Sequence, residues 1–344
     1  MFGKCLDQDL QRIADNPRYE GIHHSSVLIT GATGLVGLQL TRLFIYMNET
    51  RNAQIIIHLC IRNQKKLADL LGEYIDKDYI RLHISDIQSL TGIDEKIDYI
   101  FHCASITNSK MMITYPVDTI LTSVIGTENI LRIAHEHQVR SAVYVSSMEV
   151  YGSYNGPVSE TDYGFVDPLA VRSCYPEGKR MCENLCIAYH SQYDVNVKIA
   201  RLAQTFGAGI LPGENRVFAQ FARSAVNRED IVLHTEGKSE GNYCYTADAL
   251  EGLLTILLYG KNAEAYNVCN EKMHMAIHEM AELVAKEIAQ GEIKVRIELL
   301  DPSISGYASE THMFLSSDKL RALGWAPVYD MPEAYRRMIS DMCA

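Results

Sequence analysis

A tyrosine and a lysine lie one helical turn apart in the segment YPEGK, as Tyr175 and Lys179. Residues at positions i and i+4 share one face of a helix, so the two polar side chains would lie side by side. A free phenol has a pKa of about 10 and is a poor base at neutral pH. A neighbouring ammonium stabilises the phenolate and lowers that pKa. Such a pair could take a proton from an alcohol while hydride leaves the same carbon.

A serine that could complete this chemistry follows a hydrophobic stretch, Ser141–Ser146, which reads as a β-strand. The hydroxyl of Ser147 could hold the reacting oxygen by a hydrogen bond. Lys179 could also bind the ribose of a nicotinamide cofactor. We therefore predict Ser147, Tyr175 and Lys179 as catalytic residues. Glu149 is a candidate fourth member, and a plain loop carboxylate is the equal alternative.

A glycine-rich turn, TGATGLVG, directly follows the predicted strand Ser26–Thr30 and leads into a helix. Glycines allow a tight turn, a close approach of backbone N–H groups to a pyrophosphate and close packing of the helix on its strand. The positive end of the helix would face the phosphates. A purely structural turn is the alternative to a dinucleotide-binding loop. The residues expected to bind the cofactor here are Gly31, Thr33, Gly34, Leu35, Val36 and Gly37.

The residues after the second and third predicted strands bear on the choice of dinucleotide. The second strand, Ile55–Cys60, is followed by Arg62 rather than by an acid. An acid would bind the ribose 2′-hydroxyl of NAD, whereas Arg62 could clamp the 2′-phosphate of NADP. Arg62 stacked on adenine or directed to solvent is equally compatible with NAD. The cofactor is therefore NAD or NADP, with a preference for NADP, and Asp86 and Ile87 are expected at the adenine.

The fourth predicted strand, Ile97–His102, ends in the sequence HCAS. Cys103, Ala104 and Ser105 would then lie beside the nicotinamide half of the cofactor. A histidine at the end of a strand is more often structural than catalytic, so His102 receives no chemical role.

Short apolar runs alternate with helical patterns from residue 26 to about residue 205. This alternation predicts a parallel sheet covered on both faces, and right-handed crossovers make it an α/β fold with a Rossmann-like doubly wound sheet. We predict a helical extension at 1–25, a dinucleotide-binding domain at 26–205 plus about 243–268, and a smaller α+β substrate-binding domain at 206–242 and 269–344. Thr246 is expected to be the N-cap of a helix that ends at Tyr259.

Composition excludes several classes of partner. The 344 residues include 32 Lys and Arg against 43 Asp and Glu, a net charge of −11, which argues against nucleic acid and anionic membranes as main partners. No stretch approaches the roughly 20 apolar residues of a membrane-spanning helix, and the N-terminus does not resemble a signal peptide. We expect a cytoplasmic protein without a membrane segment. The nine scattered cysteines predict reduced, buried thiols and no metal site.

The motifs TGATGLVG, HCAS, VSSMEVYG, YPEGK and LGWAP occur in one order along the chain. With them, the chain resembles the extended short-chain dehydrogenase/reductase family, in particular its nucleotide-sugar epimerases, dehydratases and decarboxylases. The stretch CYPEGKRMCE is most similar to the UDP-glucuronate decarboxylase branch. The resemblance implies that Ser147, Tyr175 and Lys179 form a catalytic triad and that a nucleotide-diphosphate sugar is the partner. It also implies a homodimer formed by the predicted helices at 117–137 and 175–193.

Departures from the family pattern bear on the reaction. Met148 stands where the dehydratases have an acid, which disfavours elimination, and Gly241 stands where the decarboxylases have an arginine for the sugar carboxylate. A C4 epimerase needs only the triad, a returning hydride and room for the keto-sugar to turn. We therefore place epimerisation first, with a 4,6-dehydratase or a UDP-glucuronate-type decarboxylase as the alternative. The resemblance implies substrate contacts from Ser147, Gln204, Arg216 and Tyr243.

A hypothesis from another class is a catalytically silent scaffold that binds NAD(P) and a partner protein. Loss of the arginine at position 241 is what decay of an active site would produce. The intact Ser147, Tyr175 and Lys179 argue against it, because a retired site has no physical need for all three.

Overall fold

The structure is a computed structural model that describes residues 1–211, 213–299 and 311–343. Pro212, residues 300–310 and Ala344, all within the predicted substrate-binding segments, lie outside the described residues.

The strands are β1 (Ser26–Thr30), β2 (Ile56–Ile61), β3 (Ile80–Ile84), β4 (Tyr99–His102), β5 (Ser141–Ser147), β6 (Asn155–Val158), β7 (Val197–Leu202), β8 (Gln204–Phe206), β9 (Ile231–Leu233), β10 (Glu240–Tyr245), β11 (Ala265–Val268), β12 (Asn270–Ala276), β13 (Val295–Ile297) and β14 (His312–Leu315). The helices are α1 (Lys4–Ala14), α2 (Leu35–Arg51), α3 (Gln64–Leu71), α4 (Ser109–Thr114), α5 (Pro116–Glu136), α6 (Cys174–Tyr193), α7 (Val217–Asn227), α8 (Thr246–Tyr259), α9 (Ile277–Leu283), α10 (Asp318–Arg321) and α11 (Met331–Met342).

The largest sheet has seven strands in the order β11-β7-β5-β4-β1-β2-β3, and all neighbouring pairs are parallel. The order reverses on the two sides of β1, because β2 lies on one side of it and β4 on the other. In sheets of this kind the ligand crevice lies at such a switch point, outside the carboxyl ends of the strands. The topology confirms the predicted Rossmann-like doubly wound α/β fold.

The apolar composition of the strands explains the two-sided covering of the sheet. Every residue of β1 is buried, and its alternate side chains reach two different cores. Val27 and Ile29 pack into the core that contains α2 and α8, whereas Leu28 packs into the core on the side of α5 and α6. β-Branched residues suit such a strand because their side chains pack well on a pleated surface.

Three small sheets accompany the large one in the described residues: β12-β10-β8, β13-β9 and β14-β6. Most of their strands, with α7, α9, α10 and α11, lie after residue 203, whereas β6 lies between β5 and α6 and pairs with the late strand β14. β11 nevertheless returns to the edge of the large sheet, parallel to β7. The division into domains at residues 205 and 243 stays a prediction.

The first helix belongs to the main core. Leu6, Leu10 and Ile13 of α1 are buried in the same cluster as residues of α2, α8 and α11. Among the described residues, no helix has both the length and the apolar character that crossing a membrane requires.

The prediction that Thr246 caps α8 is wrong. The N-cap is Tyr245, which keeps the extended backbone of β10, and Thr246 is already the first helical residue. The strand therefore runs into the helix without a capping loop. The Thr246 hydroxyl is buried and has no hydrogen-bond partner in the described part of the chain.

Candidate active site

A cavity of about 1010 Å³ lies at the carboxyl ends of the central strands. It extends from the ends of β2 and β3, past the glycine-rich turn after β1, to the ends of β4, β5 and β7. The parallel arrangement brings these loops to one edge of the sheet. Segments that are far apart in the sequence therefore share one wall.

The glycine-rich turn forms the floor of this cavity. Gly31 has a left-handed φ of 68°, and a Cβ there would lie 2.9 Å from the backbone of Ala104. A Cβ at Gly37 would lie 2.5 Å from the carbonyl oxygen of Gly31. Only glycine fits these two positions, so α2 begins directly against β1.

The predicted cofactor residues of this turn, Gly31, Thr33, Gly34, Leu35, Val36 and Gly37, all line the cavity. Gly34 is the N-cap of α2 and has no side chain with which to cap it. The first N–H groups of a helix have no partner inside the helix. Here they remain available to an anionic ligand, which fits the pyrophosphate of a dinucleotide.

Ser147, Tyr175 and Lys179 also line this cavity. Ser147 ends β5, and Tyr175 and Lys179 lie in the first two turns of α6. The Lys179 ammonium donates to the carbonyl oxygen of Val145 at 2.8 Å, and its Nζ lies 5.7 Å from the centroid of the Tyr175 ring. Since an ammonium has three donors, Lys179 retains donors for a ligand in the cavity. The structure thus brings the three predicted residues together, and their catalytic role stays a prediction.

The electrostatics of the tyrosine differ from the expectation. Burial raises the pKa of Tyr175, and the charge of Glu149 raises it further, whereas a hydrogen bond with Ser147 and the charges of Arg172 and Arg216 lower it. Burial also lowers the pKa of Lys179. The expected acidic phenol requires more positive charge than these side chains supply, because desolvation disfavours the phenolate.

Glu149 is part of the cavity wall. Its backbone N–H donates to Ser147 Oγ at 3.2 Å, which closes a short turn after β5. Its carboxylate accepts from Nη2 of Arg172 at 3.1 and 2.8 Å. Glu149 is therefore a half-exposed carboxylate at the start of a short helical turn, held by Arg172 next to the triad.

At the far end of the cavity, Arg62 faces an acid. Its Nη1 lies 3.6 Å from Oδ2 of Asp86, and its side chain is 70% exposed. Asp86 also caps the turn after β3 by accepting from the N–H of Gln88 at 2.9 Å. Asp86 and Ile87 also line the cavity, and their contact with adenine stays a prediction. The neighbouring carboxylate offsets the charge of Arg62 and would repel a 2′-phosphate.

The residues after β4 reach the middle of the cavity. Cys103, Ala104 and Ser105 all line it, and the hydroxyl of Ser105 is buried without a partner among the described residues. Burial raises the pKa of the Cys103 thiol to about 12, so this cysteine is not a nucleophile at neutral pH. His102 connects Thr30 and Thr127 by contacts of 2.7 and 3.1 Å, which is a structural role.

The predicted substrate residues divide into two groups. Gln204 and Arg216 line the cavity, and Glu214 holds Arg216 through contacts of 3.0 and 2.7 Å. The structure does not bring Tyr243 to the cavity, because it is buried in β10 with its ring against Phe206. Alternation along a strand places successive side chains on opposite faces, and the sequence did not show which face looked inward.

The space that a side chain at position 241 would need is already occupied by Tyr243. A Cβ at Gly241 would lie 2.6 Å from ring atoms of Tyr243 and would overlap its hydroxyl. An arginine at position 241 would therefore require Tyr243 to move.

Arg172 and several polar residues of the cavity were not predicted from the sequence. Arg172 has no periodic relation to Glu149, so only its position three residues before Tyr175 could have pointed to it. The polar run after HCAS was a usable signal for part of the rest. The further lining residues with polar side chains are Asn63, Lys66, Ser85, Thr107, Ser109, Thr122 and Thr205.

Comparison with known proteins identifies the family. The model of the NAD dependent epimerase/dehydratase family matches residues 27–269. The chain belongs to this family. Its cofactor class and its nucleotide-sugar class of enzyme are thereby those that the motifs predicted. The assignment of the cavity beside the glycine-rich turn to the dinucleotide stays a prediction.

Curated relatives and solved structures agree with this assignment. UDP-glucuronic acid decarboxylase 6 of Arabidopsis thaliana is 29% identical over 316 residues, which cover 92% of this chain and 88% of the relative. UDP-glucuronic acid decarboxylase 1 of the same plant is 31% identical over 316 residues, which cover 92% of this chain and 69% of the relative.

Two solved structures share the fold. The epimerase Mth375 from Methanothermobacter thermautotrophicus superposes with a TM-score of 0.77 and 21% identity, over 97% of this chain and 96% of that one. UDP-glucuronic acid 4-epimerase from Bacillus cereus was solved in complex with UDP-glucuronic acid and NAD. It superposes with a TM-score of 0.76 and 18% identity, over 92% of this chain and 99% of that one.

Proposed function

We propose that this protein uses NAD to oxidise the 4-hydroxyl of a UDP-sugar. The observation that carries the proposal is that Ser147, Tyr175 and Lys179 line the same cavity as the glycine-rich turn. The glycine-rich turn with Gly31, Gly34 and Gly37 would hold NAD, which would supply the hydride acceptor for this oxidation. The intact triad in a family of NAD-dependent enzymes also argues against the silent scaffold.

The side chains divide the proton chemistry among them. Tyr175 takes the proton of the 4-hydroxyl, and Ser147 donates a hydrogen bond that orients the same oxygen. Lys179 holds the ribose and adds positive charge near the phenol. Because burial raises the pKa of Tyr175 in the free protein, the phenol stays protonated until the positive charge of the oxidised cofactor stabilises the phenolate. The base is thus formed only when the cofactor is in place.

Decarboxylation of UDP-glucuronate is the reaction we place first, which reverses the order expected from the sequence. The curated relatives quoted above are UDP-glucuronic acid decarboxylases that align along 92% of the chain. Oxidation at C4 makes the sugar a β-keto acid, which loses CO₂ and leaves an enolate at C5. The enolate takes up one proton from solvent at C5, and the carboxylate of Glu149 beside the triad relays that proton before the hydride returns to C4.

Epimerisation at C4 is the second candidate, and the geometry around position 241 favours it. Tyr243 occupies the space that an arginine side chain at Gly241 would enter. A sugar carboxylate therefore lacks the cation that the decarboxylase pattern supplies from this position. A neutral sugar that is oxidised, turned and reduced again needs no such cation.

We propose NAD rather than NADP as the dinucleotide. Asp86 lies 3.6 Å from Arg62 and places a negative charge where a 2′-phosphate would bind. The Asp86→Asn variant should gain affinity for NADP and keep its affinity for NAD within about threefold, as isothermal titration would show. If the affinities for NAD and NADP change equally, then Arg62 and Asp86 do not lie at the adenine end of the bound dinucleotide.

One incubation separates the two reactions. Purified protein with NAD and UDP-glucuronate should yield a sugar nucleotide lighter by one CO₂, detected by mass spectrometry. With UDP-glucose or UDP-galactose, epimerisation gives a product of unchanged mass and a new anomeric signal in proton NMR. Turnover of the neutral sugars alone would establish the epimerase. No turnover with any UDP-, GDP-, CDP- or dTDP-sugar would refute both.

We also propose a homodimer that forms through α5 and α6. Val117, Ile120, Leu121 and Ile125 are exposed on α5 at spacings that place them on one helical face. Met181 of α6 is also exposed. The double variant Ile120→Glu/Leu121→Glu should be monomeric by light scattering, and a native protein that is itself monomeric would refute the proposal.

A further inference from the structure

Arg172 is a cation that contacts two residues of the cavity lining, Glu149 and Tyr175, and the reaction as described gives it no role. It lies in the short helical turn Val171–Ser173, directly before α6. Its Nη2 donates to both carboxylate oxygens of Glu149, at 3.1 and 2.8 Å. Its Cζ lies 5.7 Å from the centroid of the Tyr175 ring. One guanidinium thus touches the candidate acid and covers the candidate base.

Folding stability does not explain this contact. The side chains of Arg172 and Glu149 are 37% and 38% exposed, and an ion pair at such exposure contributes little to the free energy of unfolding. The pair nevertheless fixes the direction of the carboxylate, because hydrogen bonds between charged groups are short and directional. The backbone N–H of Glu149 is tied to Ser147 at the same time.

The charges around Tyr175 show what the pair does electrostatically. Glu149 approaches the phenol from the turn after β5, and its charge disfavours the phenolate. Arg172 from the turn before α6 and Arg216 from the start of α7 act in the opposite direction. Lys179 lies on the same helix, and the neutral Tyr144 contacts it from β5. A carboxylate and a phenolate can therefore lie side by side only if a nearby cation offsets the repulsion between their negative charges.

We propose that Arg172 is a positioning residue for the proposed reaction: it holds the Glu149 carboxylate against the cavity wall and supplies the charge that lets Glu149 and an ionised Tyr175 coexist. The inference rests on the proposed function, since both partners act in it. Arg172 itself has no bond to make or break.

The test compares Arg172→Gln, Arg172→Lys and the double variant Glu149→Gln/Arg172→Gln. Arg172→Gln should move the rise of kcat/KM with pH upward by about one unit, which lowers kcat about tenfold at neutral pH, while KM stays within about twofold. Arg172→Lys should recover most of the loss. In the double variant the rise should return to its native pH, because the opposing carboxylate is gone as well. Arg132→Gln, which breaks the exposed Arg132–Glu136 pair on α5, is the matched control and should leave the profile unchanged.

A second measurement keeps the inference separate from the proposed function. Titration of ring-labelled tyrosine in the NAD-bound protein, followed by NMR, reports Tyr175 without turnover, and Tyr175→Phe assigns its signal. If no nucleotide sugar is turned over, the proposed function fails, but an upward shift of this titration in Arg172→Gln still supports the role of Arg172. The inference is overturned if Tyr175 titrates in Arg172→Gln at the same pH as in the native protein. It is also overturned if kcat falls equally at every pH and Arg172→Lys does not restore it.

Discussion

At the scale of single residues, the Tyr175 hydroxyl carries the proposed chemistry. The Tyr175→Phe variant removes this oxygen and leaves the ring, which packs with Met112 and Cys174. General acid–base groups contribute about 10²–10⁴-fold to a rate, so kcat should fall within that range while the Kd for NAD stays near its native value. Stopped-flow turnover and fluorescence titration of NAD measure the two quantities.

The control for this variant lies on the same helix. Tyr189 of α6 donates to Glu128 at 2.7 Å and is remote from the cavity lining. Tyr189→Phe should therefore turn over at the native rate. Comparable activity in Tyr175→Phe would mean that another group removes the proton.

A buried ion pair lies directly behind the triad. Arg201 donates to Glu183 at 2.7 and 3.0 Å, and Ser146, the neighbour of Ser147, donates to the same carboxylate at 2.6 Å. Arg201→Met would leave the carboxylate buried without its partner, which costs about 3–5 kcal/mol. Urea unfolding should show this loss. If the free energy of unfolding changes by less than about 1 kcal/mol, then water replaces the arginine and the pair is not a structural anchor.

At the scale of elements, the close approach of α2 to β1 decides whether the cavity can receive a dinucleotide. A Cβ at position 37 would lie 2.5 Å from the Gly31 carbonyl oxygen. In Gly37→Ala the helix must therefore move away from the turn, and the affinity for NAD should fall at least about tenfold, because the N–H groups no longer converge on the phosphates. Gly92→Ala, where a Cβ meets no atom within 4 Å, should bind NAD as the native protein does. Unchanged binding in Gly37→Ala would show that the turn does not hold the pyrophosphate.

The arrangement of the strands also explains which parts of the site could be predicted from the sequence. A parallel sheet places every strand end at one edge, so residues that follow strands, such as Gly31, Ser105 and Ser147, could be assigned to one site in advance. The partner of a charged side chain does not follow from such a rule. The pairs Arg62–Asp86 and Glu149–Arg172 depend on how two loops pack.

At the scale of the whole molecule, the first helix, α1, and the last helix, α11, contact each other next to α8. Asp9 of α1 accepts hydrogen bonds from Tyr245 at 2.6 Å and from Tyr329 at 2.7 Å, and it pairs with Arg337 of α11 at 2.8 Å. These residues are separated by most of the length of the chain, and no local pattern announces them. The predicted N-terminal extension is thus tied to the C-terminal helix by buried polar contacts. Such contacts make the folding of the two ends interdependent.

A second buried carboxylate next to this contact gives stability a pH dependence. Asp248 of α8 accepts from the N–H groups of Val328 and Tyr329 at 3.0 and 3.1 Å and pairs with Arg12 at 3.2 Å. Burial nevertheless raises the pKa of Asp248 to about 7, from an ordinary value of 3.8. The folded protein therefore binds this proton more tightly than the unfolded chain does.

The sign of the effect follows from that difference. The contribution of Asp248 is fully present below about pH 4 and is lost as the pH rises to about 7, because the unfolded chain releases the proton first. Asp248→Asn keeps an oxygen for the two N–H groups but cannot ionise. Urea unfolding at about pH 4, 5.5 and 7.5 should show that the stability of the variant relative to the native protein improves with each step. Thr255→Val, a change at a buried position of the same helix that involves no group ionising in this pH range, should show a constant difference. If Asp248→Asn also shows a constant difference, then Asp248 is ionised throughout this range and Arg12 fully compensates its burial.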